Sequence, residues 1–220
     1  MKKHMKKHIV CFGDSNTHGY CAETGMRFDE ETRWSSLLQK RLGDEFLVIE
    51  EGLNGRTAVF DDPIYGDMSG LAYISPCLLT HEPVDLLIVM LGTNDTKERF
   101  GCTPECIALG MRRLLQKAMV TADAWRGGVP AVLLMTPQNI DPRYKQAALG
   151  EIMGDGCAEK SAGLSAVYSK LADDLGCWYL DVNQEIETAP NSVDYMHLTK
   201  EGHRQLADAV SRKVKDIFIS

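Results

Sequence analysis

Five short, nearly continuous apolar runs punctuate this sequence, at His8–Phe12, Phe46–Glu50, Asp85–Leu91, Ala131–Thr136 and Cys177–Asp181. They are rich in β-branched and large apolar residues and lack the polar alternation of a strand with one wet face. Each therefore predicts a strand covered on both sides. Helical spacing fills the gaps between them. Trp34, Leu37, Leu38 and Leu42 share one face of a first helix. From Pro104 to about Ala122, Ile107, Met111, Leu114, Leu115 and Met119 recur at helical intervals, with Thr103 as N-cap and Pro104 at the first helical position. Ala158–Leu175 and Thr199–Phe218 read as two further helices. Strand–helix alternation of this kind requires parallel strands joined by right-handed crossovers. The expected architecture is α/β: one three-layer α/β/α domain over residues 1–220, with a five-stranded parallel sheet and a basic tail at residues 1–7.

Two loops are longer than packing needs, Asp61–Gly70 after the second strand and Pro137–Gly156 after the fourth. Both follow carboxyl ends of strands, where open α/β sheets place their ligands. The net charge is −7, so a general nucleic-acid binder is not expected. The longest apolar runs, such as Leu86–Leu91, are far too short to cross a bilayer. Only Ile9-Val10-Cys11-Phe12 follows the basic start, so a secretory leader is not expected either. Seven scattered cysteines form no C-x-x-C pair, which fits a reducing, cytoplasmic compartment. Zinc spacings fail: His4-x-x-x-His8 lies in the tail region, and Cys102-x-x-x-Cys106 lacks a second pair.

Chemistry-bearing residues cluster after the strands. The first ends in Gly13-Asp14-Ser15-Asn16-Thr17. Ser15 there either exposes its hydroxyl on a tight strand-to-helix turn or caps a helix, and the residues alone leave both open. Glu51-Gly52-Leu53-Asn54-Gly55-Arg56 and Leu91-Gly92-Thr93-Asn94-Asp95 each read, singly, as turns. Near the C-terminus, Asp194-Tyr195-Met196-His197 spaces a carboxylate three residues before an imidazole, close enough to fix its tautomer. The other five histidines lack that arrangement: His4 and His8 lie in or beside the tail, His18 has no acidic neighbour at useful spacing, His81 precedes Glu82-Pro83 and His203 sits inside the last helix.

Taken together the blocks resemble the SGNH (GDSL-type) hydrolase family. Gly13-Asp14-Ser15 is similar to its first block, Gly55 to its second, Gly92-Thr93-Asn94-Asp95 to its third and Asp194-x-x-His197 to its last, in family order across nearly the whole chain. No G-x-S-x-G occurs, which separates the chain from ordinary α/β-hydrolases. Thr32-Arg33-Trp34, Val48–Leu53, Asp61-Asp62-Pro63 and Met90–Lys97 are similar to the arylesterase/acyltransferase subgroup. Two departures stand out. His18 stands where the subgroup's acyltransferase carries a tryptophan near the active-site mouth, and Asn54-Gly55 where it carries Ser-Ala.

The resemblance implies a flavodoxin-like SGNH fold and a serine esterase acting on short-chain acyl esters, acetyl-type or aryl, with acyl transfer to alcohols as an extension. It implies Ser15 as nucleophile, His197 as base and Asp194 as its orienting partner. The oxyanion would rest on the N–H groups of Ser15 and Gly55 and on the Asn94 side chain, with His18, Asn54 and Thr93 against the substrate. No metal or organic cofactor is needed. The expected partner is a small-molecule ester, and the resemblance implies that this chain forms a homo-oligomer, with an octamer as the expected form. Two alternatives stay open: a carbohydrate O-deacetylase of the acetyl xylan esterase type, for which Trp34, Tyr65, Tyr73 and Trp125 are candidate sugar supports, and a non-catalytic binding domain that has kept the fold.

Overall fold

The computed structural model describes residues 5–219. His4 and the start of the basic tail lie outside the described residues. Five strands form one all-parallel sheet: β1 (Lys7–Gly13), β2 (Phe46–Gly52), β3 (Leu86–Met90), β4 (Val132–Thr136) and β5 (Trp178–Asp181). Their order is β2-β1-β3-β4-β5, with Gly13 level with Gly52 on one side and with Met90 on the other. Chain direction across the sheet reverses at β1, so a crevice opens beyond the carboxyl ends of β1 and β3.

Alternate strand residues face opposite layers. Val10, Phe12, Leu87, Val89 and Leu134 pack under α3 (Gly70–Thr80), α4 (Pro104–Met119) and α7 (Leu164–Leu175). Ile9, Cys11, Ile88, Leu133 and Met135 pack under α2 (Trp34–Leu42) and α9 (Lys200–Ile219). Every residue of β3 and β4 is buried, which is why those runs show no polar alternation. Short helices complete the frame: α1 (Ser15–His18), α5 (Leu149–Met153), α6 (Cys157–Ala162) and α8 (Val182–Glu185). Among the described residues, no helix is long and apolar enough to cross a membrane.

Three details differ from the sequence expectation. Lys7 belongs to β1 rather than to a tail, with its ammonium 4.2 Å from the centre of the Phe218 ring. The stretch Ala158–Leu175 is two helices, not one. Pro104 lies where a side chain on Gly163 would have to go, 2.7 Å from a Cβ there, and the helix is interrupted at that glycine. Helix α3 was not expected; its N-cap is Ser69, whose Oγ accepts the Ala72 N–H at 3.4 Å. The long segment after β4 is ordered by its own contacts. Ile140, Tyr144 and Met153 are buried with Cys157, Ala158 and Met196, while Leu149 and Ile152 are half-buried.

Candidate active site

Ser15 follows β1 as the first residue of α1. The cap is Asp14, whose carboxylate accepts the Asn16 N–H at 3.0 Å, so the serine hydroxyl is free for other work. Glycine is required one step earlier. A Cβ on Gly13 would lie 2.1 Å from Thr17 Oγ1 and 2.9 Å from the Met90 carbonyl. Burial pushes the Asp14 carboxyl up to about 6, although the Asn16 N–H and the neighbouring His197 pull the other way. The turn is locked to the opposite end of the chain by Asn16 Oδ1, which accepts the Leu198 N–H at 2.9 Å.

The loop before α9 carries the imidazole. His197 Nε2 is 2.8 Å from Ser15 Oγ, and His197 Nδ1 is 2.6 Å from Asp194 Oδ2. The second carboxylate oxygen, Asp194 Oδ1, accepts from Asn191 Nδ2 at 2.9 Å and from the Met196 and His197 N–H groups at 3.1 Å each. Asn191 Nδ2 also donates to the His197 carbonyl at 2.8 Å. Between acid and base the backbone passes through Tyr195 at φ 64°, a left-handed conformation that costs a non-glycine residue energy and is held by these bonds. Ser15, Asp194 and His197 are all buried. A hydroxyl, an imidazole and a carboxylate in line form the relay needed to take a proton from a serine as it attacks a carbonyl.

The relay opens on a cavity of about 270 Å³. Asn54, Gly55, Thr93 and Asn94 line it on one side; Tyr65, Met68, Leu149, Ile152, Met153 and Met196 supply apolar wall. Among the described residues the Asn94 carboxamide has no hydrogen-bond partner, leaving its N–H groups available to a ligand. Gly55 adopts φ 85°, a turn that directs the backbone of the loop after β2 into the cavity. Asp95 ties that loop to the loop after β3. Its two oxygens lie 2.9 and 3.1 Å from the Ala58 nitrogen, and burial pushes its carboxyl up to about 7 despite that bond. The cavity wall is pinned in the same way by Asp62, which holds Lys97 at 2.9 Å and Arg99 at 2.8 Å. Burial would raise the Asp62 carboxyl, but the two cations hold it well below the usual carboxylate range.

The model of the GDSL-like lipase/acylhydrolase family matches residues 11–205. The chain belongs to that family. Its structure is similar to that of the M. smegmatis aryl esterase, with 37% identity and a TM-score of 0.88, covering 96% of this chain and 99% of the other. It is also similar to a carbohydrate acetylesterase from Sinorhizobium meliloti, with 35% identity and a TM-score of 0.85, covering 96% and 100%. The esterase TesA of Pseudomonas aeruginosa is 28% identical over 161 residues, 71% of this chain and 68% of that protein. This GDSL-family chain is a carboxylic ester hydrolase, near the arylesterase subgroup.

Of the residues expected against the substrate in this family member, Asn54 and Thr93 line the cavity and His18 does not. His18 ends α1 where it abuts β2; a Cβ on Gly52 would lie 2.1 Å from the His18 nitrogen. Burial and the Arg27 charge hold its imidazole below the usual range. After the left-handed turn at Gly19, it is Tyr20 that returns to the cavity, its ring centre 4.6 Å from that of His197. Sequence reasoning missed Tyr20 and Asn191. An asparagine three residues before Asp194 was the available signal for the second. The candidate sugar supports divide: Trp34 and Trp125 are buried in the core, Tyr65 lies at the cavity and Tyr73 faces a separate one. His203 is fully buried, with Nδ1 3.3 Å from the Trp34 nitrogen, and burial lowers its imidazole to about 3, so it is a neutral packing residue.

Proposed function

We propose that the chain is a serine esterase for short-chain acyl esters, and the unbroken line Asp194–His197–Ser15 opening on the cavity carries the reading. Ser15 Oγ attacks the ester carbonyl while His197 Nε2 takes its proton. The tetrahedral oxyanion is held by the N–H groups of Ser15 and Gly55 and by the Asn94 carboxamide. His197 then passes the proton to the leaving alcohol, and water resolves the acyl-enzyme with the same base. A cavity of about 270 Å³ is at or below the small end of ligand sites, about 300 Å³, so an acetyl-sized acyl group suits it better than a long chain. The apolar side chains on the cavity wall favour transfer to an alcohol over hydrolysis when an alcohol is in excess.

A second reading is a carbohydrate O-deacetylase, favoured by the similarity to the S. meliloti acetylesterase and by Tyr65, half exposed at the cavity, as a stacking surface for a sugar. Turnover of p-nitrophenyl esters of increasing chain length, set beside acetylated sugars, separates the two. Faster turnover of acetylated sugars than of simple acetyl esters would favour the second. No turnover of either would overturn both.

Two further outcomes test the assignment of roles. Asn94→Ala is expected to lower kcat by about 10²- to 10³-fold with little change in KM, because its donor matters most once charge has developed. An unchanged kcat would place the oxyanion elsewhere. The pH profile tests the base. Burial alone would raise the Asp194 carboxyl, but the His197 hydrogen bond and charge, with the His197 and Met196 N–H groups, hold it down to about 2. Asp194 therefore stays ionised across the working range. Protonating His197 removes the acceptor for the serine proton, so kcat/KM should fall on acidification and rise to a plateau with pH. A profile that does not fall on acidification, with chemistry rate-limiting, would exclude His197 as the base.

A further inference from the structure

Glu51, Cys77 and His81 converge on the far side of the loop that carries Gly55. Glu51 is the last residue but one of β2. Cys77 and His81 lie one turn apart at the C-terminal end of α3, where His81 is the cap residue. A spacing of four puts both side chains on one helix face, and that face meets the end of β2. One ligand atom from each, a carboxylate oxygen, the thiol sulfur and an imidazole nitrogen, all lie within 4.8 Å of one another. We propose that these three residues bind a single zinc-type divalent cation.

Donors around a tetrahedral zinc, at bonds of about 2.0–2.3 Å, stand roughly 3.4 Å apart, so the site needs only small side-chain adjustments. His81 Nε2 already faces Glu51 Oε1 at 2.6 Å, and the cation takes the place of the hydrogen between them. One sulfur, one nitrogen and one oxygen donor select a borderline-soft ion over magnesium or calcium. On binding, the Cys77 S–H bond gives way to an S–metal bond, with the proton released to solvent. Thiolate and carboxylate then balance the two positive charges, and His81 binds as a neutral imidazole. Arg56, the nearby cation, is already engaged. It donates to the Gly13 and Glu51 carbonyls, and its guanidinium stacks 4.2 Å from the Phe12 ring centre. Cys77 is fully buried, whereas the Glu51 and His81 side chains are 17% and 22% exposed, which leaves a fourth position open to water. Glu51 also borders a separate cavity of about 780 Å³, which offers the ion a way in. The bound ion would pin the end of β2 to α3, four residues before Gly55.

The test must remove one competitor. Cys102 and Cys106 hold their sulfurs 3.3 Å apart and are a second thiophilic pair. Full-length protein carrying Cys102→Ser and Cys106→Ser is stripped with chelator and titrated with Co²⁺ as the probe. The expected result is one equivalent bound, with a thiolate-to-cobalt charge-transfer band in the near ultraviolet that Zn²⁺ abolishes. Cys77→Ser should remove the band, and His81→Ala or Glu51→Gln should weaken Co²⁺ binding by roughly tenfold or more. His81 is partly exposed, so its variant keeps the fold even where a core substitution does not. No band in the parent protein, a band that survives Cys77→Ser, or an unchanged affinity in both His81→Ala and Glu51→Gln would overturn the site.

Discussion

Ser15→Ala is expected to lower kcat by about 10⁴- to 10⁶-fold, the loss typical of removing a nucleophile from a relay of this kind. The change deletes one oxygen atom whose hydrogen-bond partner is His197 Nε2 at 2.8 Å. Among the described residues, nothing else hydrogen-bonds to that hydroxyl. Asp14 caps α1, and Asn16 ties the turn to Leu198, so the backbone of the variant should keep its course. The loss is therefore in chemistry and not in folding. Circular dichroism and the thermal midpoint should match wild type while turnover of p-nitrophenyl acetate disappears. Mass spectrometry adds a direct readout, because an acyl or phosphonyl adduct forms on the wild-type chain and not on the variant. A folded variant that keeps a rate near wild type would remove Ser15 from its role.

Asp194→Asn is expected to cost about 10⁴-fold in kcat while leaving the fold intact, and here the structure supplies the reason. Asp194 Oδ1 is surrounded by donors: Asn191 Nδ2, Met196 N–H and His197 N–H. An asparagine must turn its carbonyl oxygen toward them, which leaves its NH₂ facing His197 Nδ1. A donor there forces Nδ1 to be the acceptor, so the ring proton moves to Nε2 and points at Ser15. The imidazole then has no lone pair for the serine proton. Alanine at the same position would confuse this tautomer effect with loss of three loop hydrogen bonds. Asparagine separates them, because those bonds persist. A kcat within about tenfold of wild type, in a variant with an unchanged thermal midpoint, would show that the carboxylate does not set the tautomer.

Much of this was legible in the chain because the relevant signals are local. A strand buried on both faces must be continuously apolar, and all five runs became strands of the parallel sheet. The cap of α4 followed the same logic, with Thr103 Oγ1 accepting the Cys106 N–H at 3.3 Å. The spacing of Asp194 and His197 sufficed to propose their pairing, since three residues of turn can close it without help from the rest of the fold. What failed was orientation. His18 and Tyr20 are two residues apart on either side of a left-handed glycine, and which one faces the cavity depends on how closely β2 approaches α1. The length of the segment after β4 was likewise visible, but not the cluster of Ile140, Tyr144 and Met153 with Cys157, Ala158 and Met196 that orders it.

The α/β class, the strand positions and the residue types at the strands' carboxyl ends follow from the chain alone, because periodicity and turn chemistry act over a few neighbouring positions. Everything that depends on the approach of distant segments arises only on folding. Ser15 and His197 are 182 residues apart in the chain and 2.8 Å apart in space. Asp62 is fully buried only because Lys97 and Arg99, from the loop after β3, reach across to neutralise it. No local spacing marks Glu51 beside Cys77 and His81, which lie 26 and 30 residues further along the chain. Their nearness arises from packing α3 against the end of β2. A sheet converts strand order into neighbourhood: residues at the ends of adjacent strands become neighbours however long the crossover between them, and a linear pattern carries no record of that order.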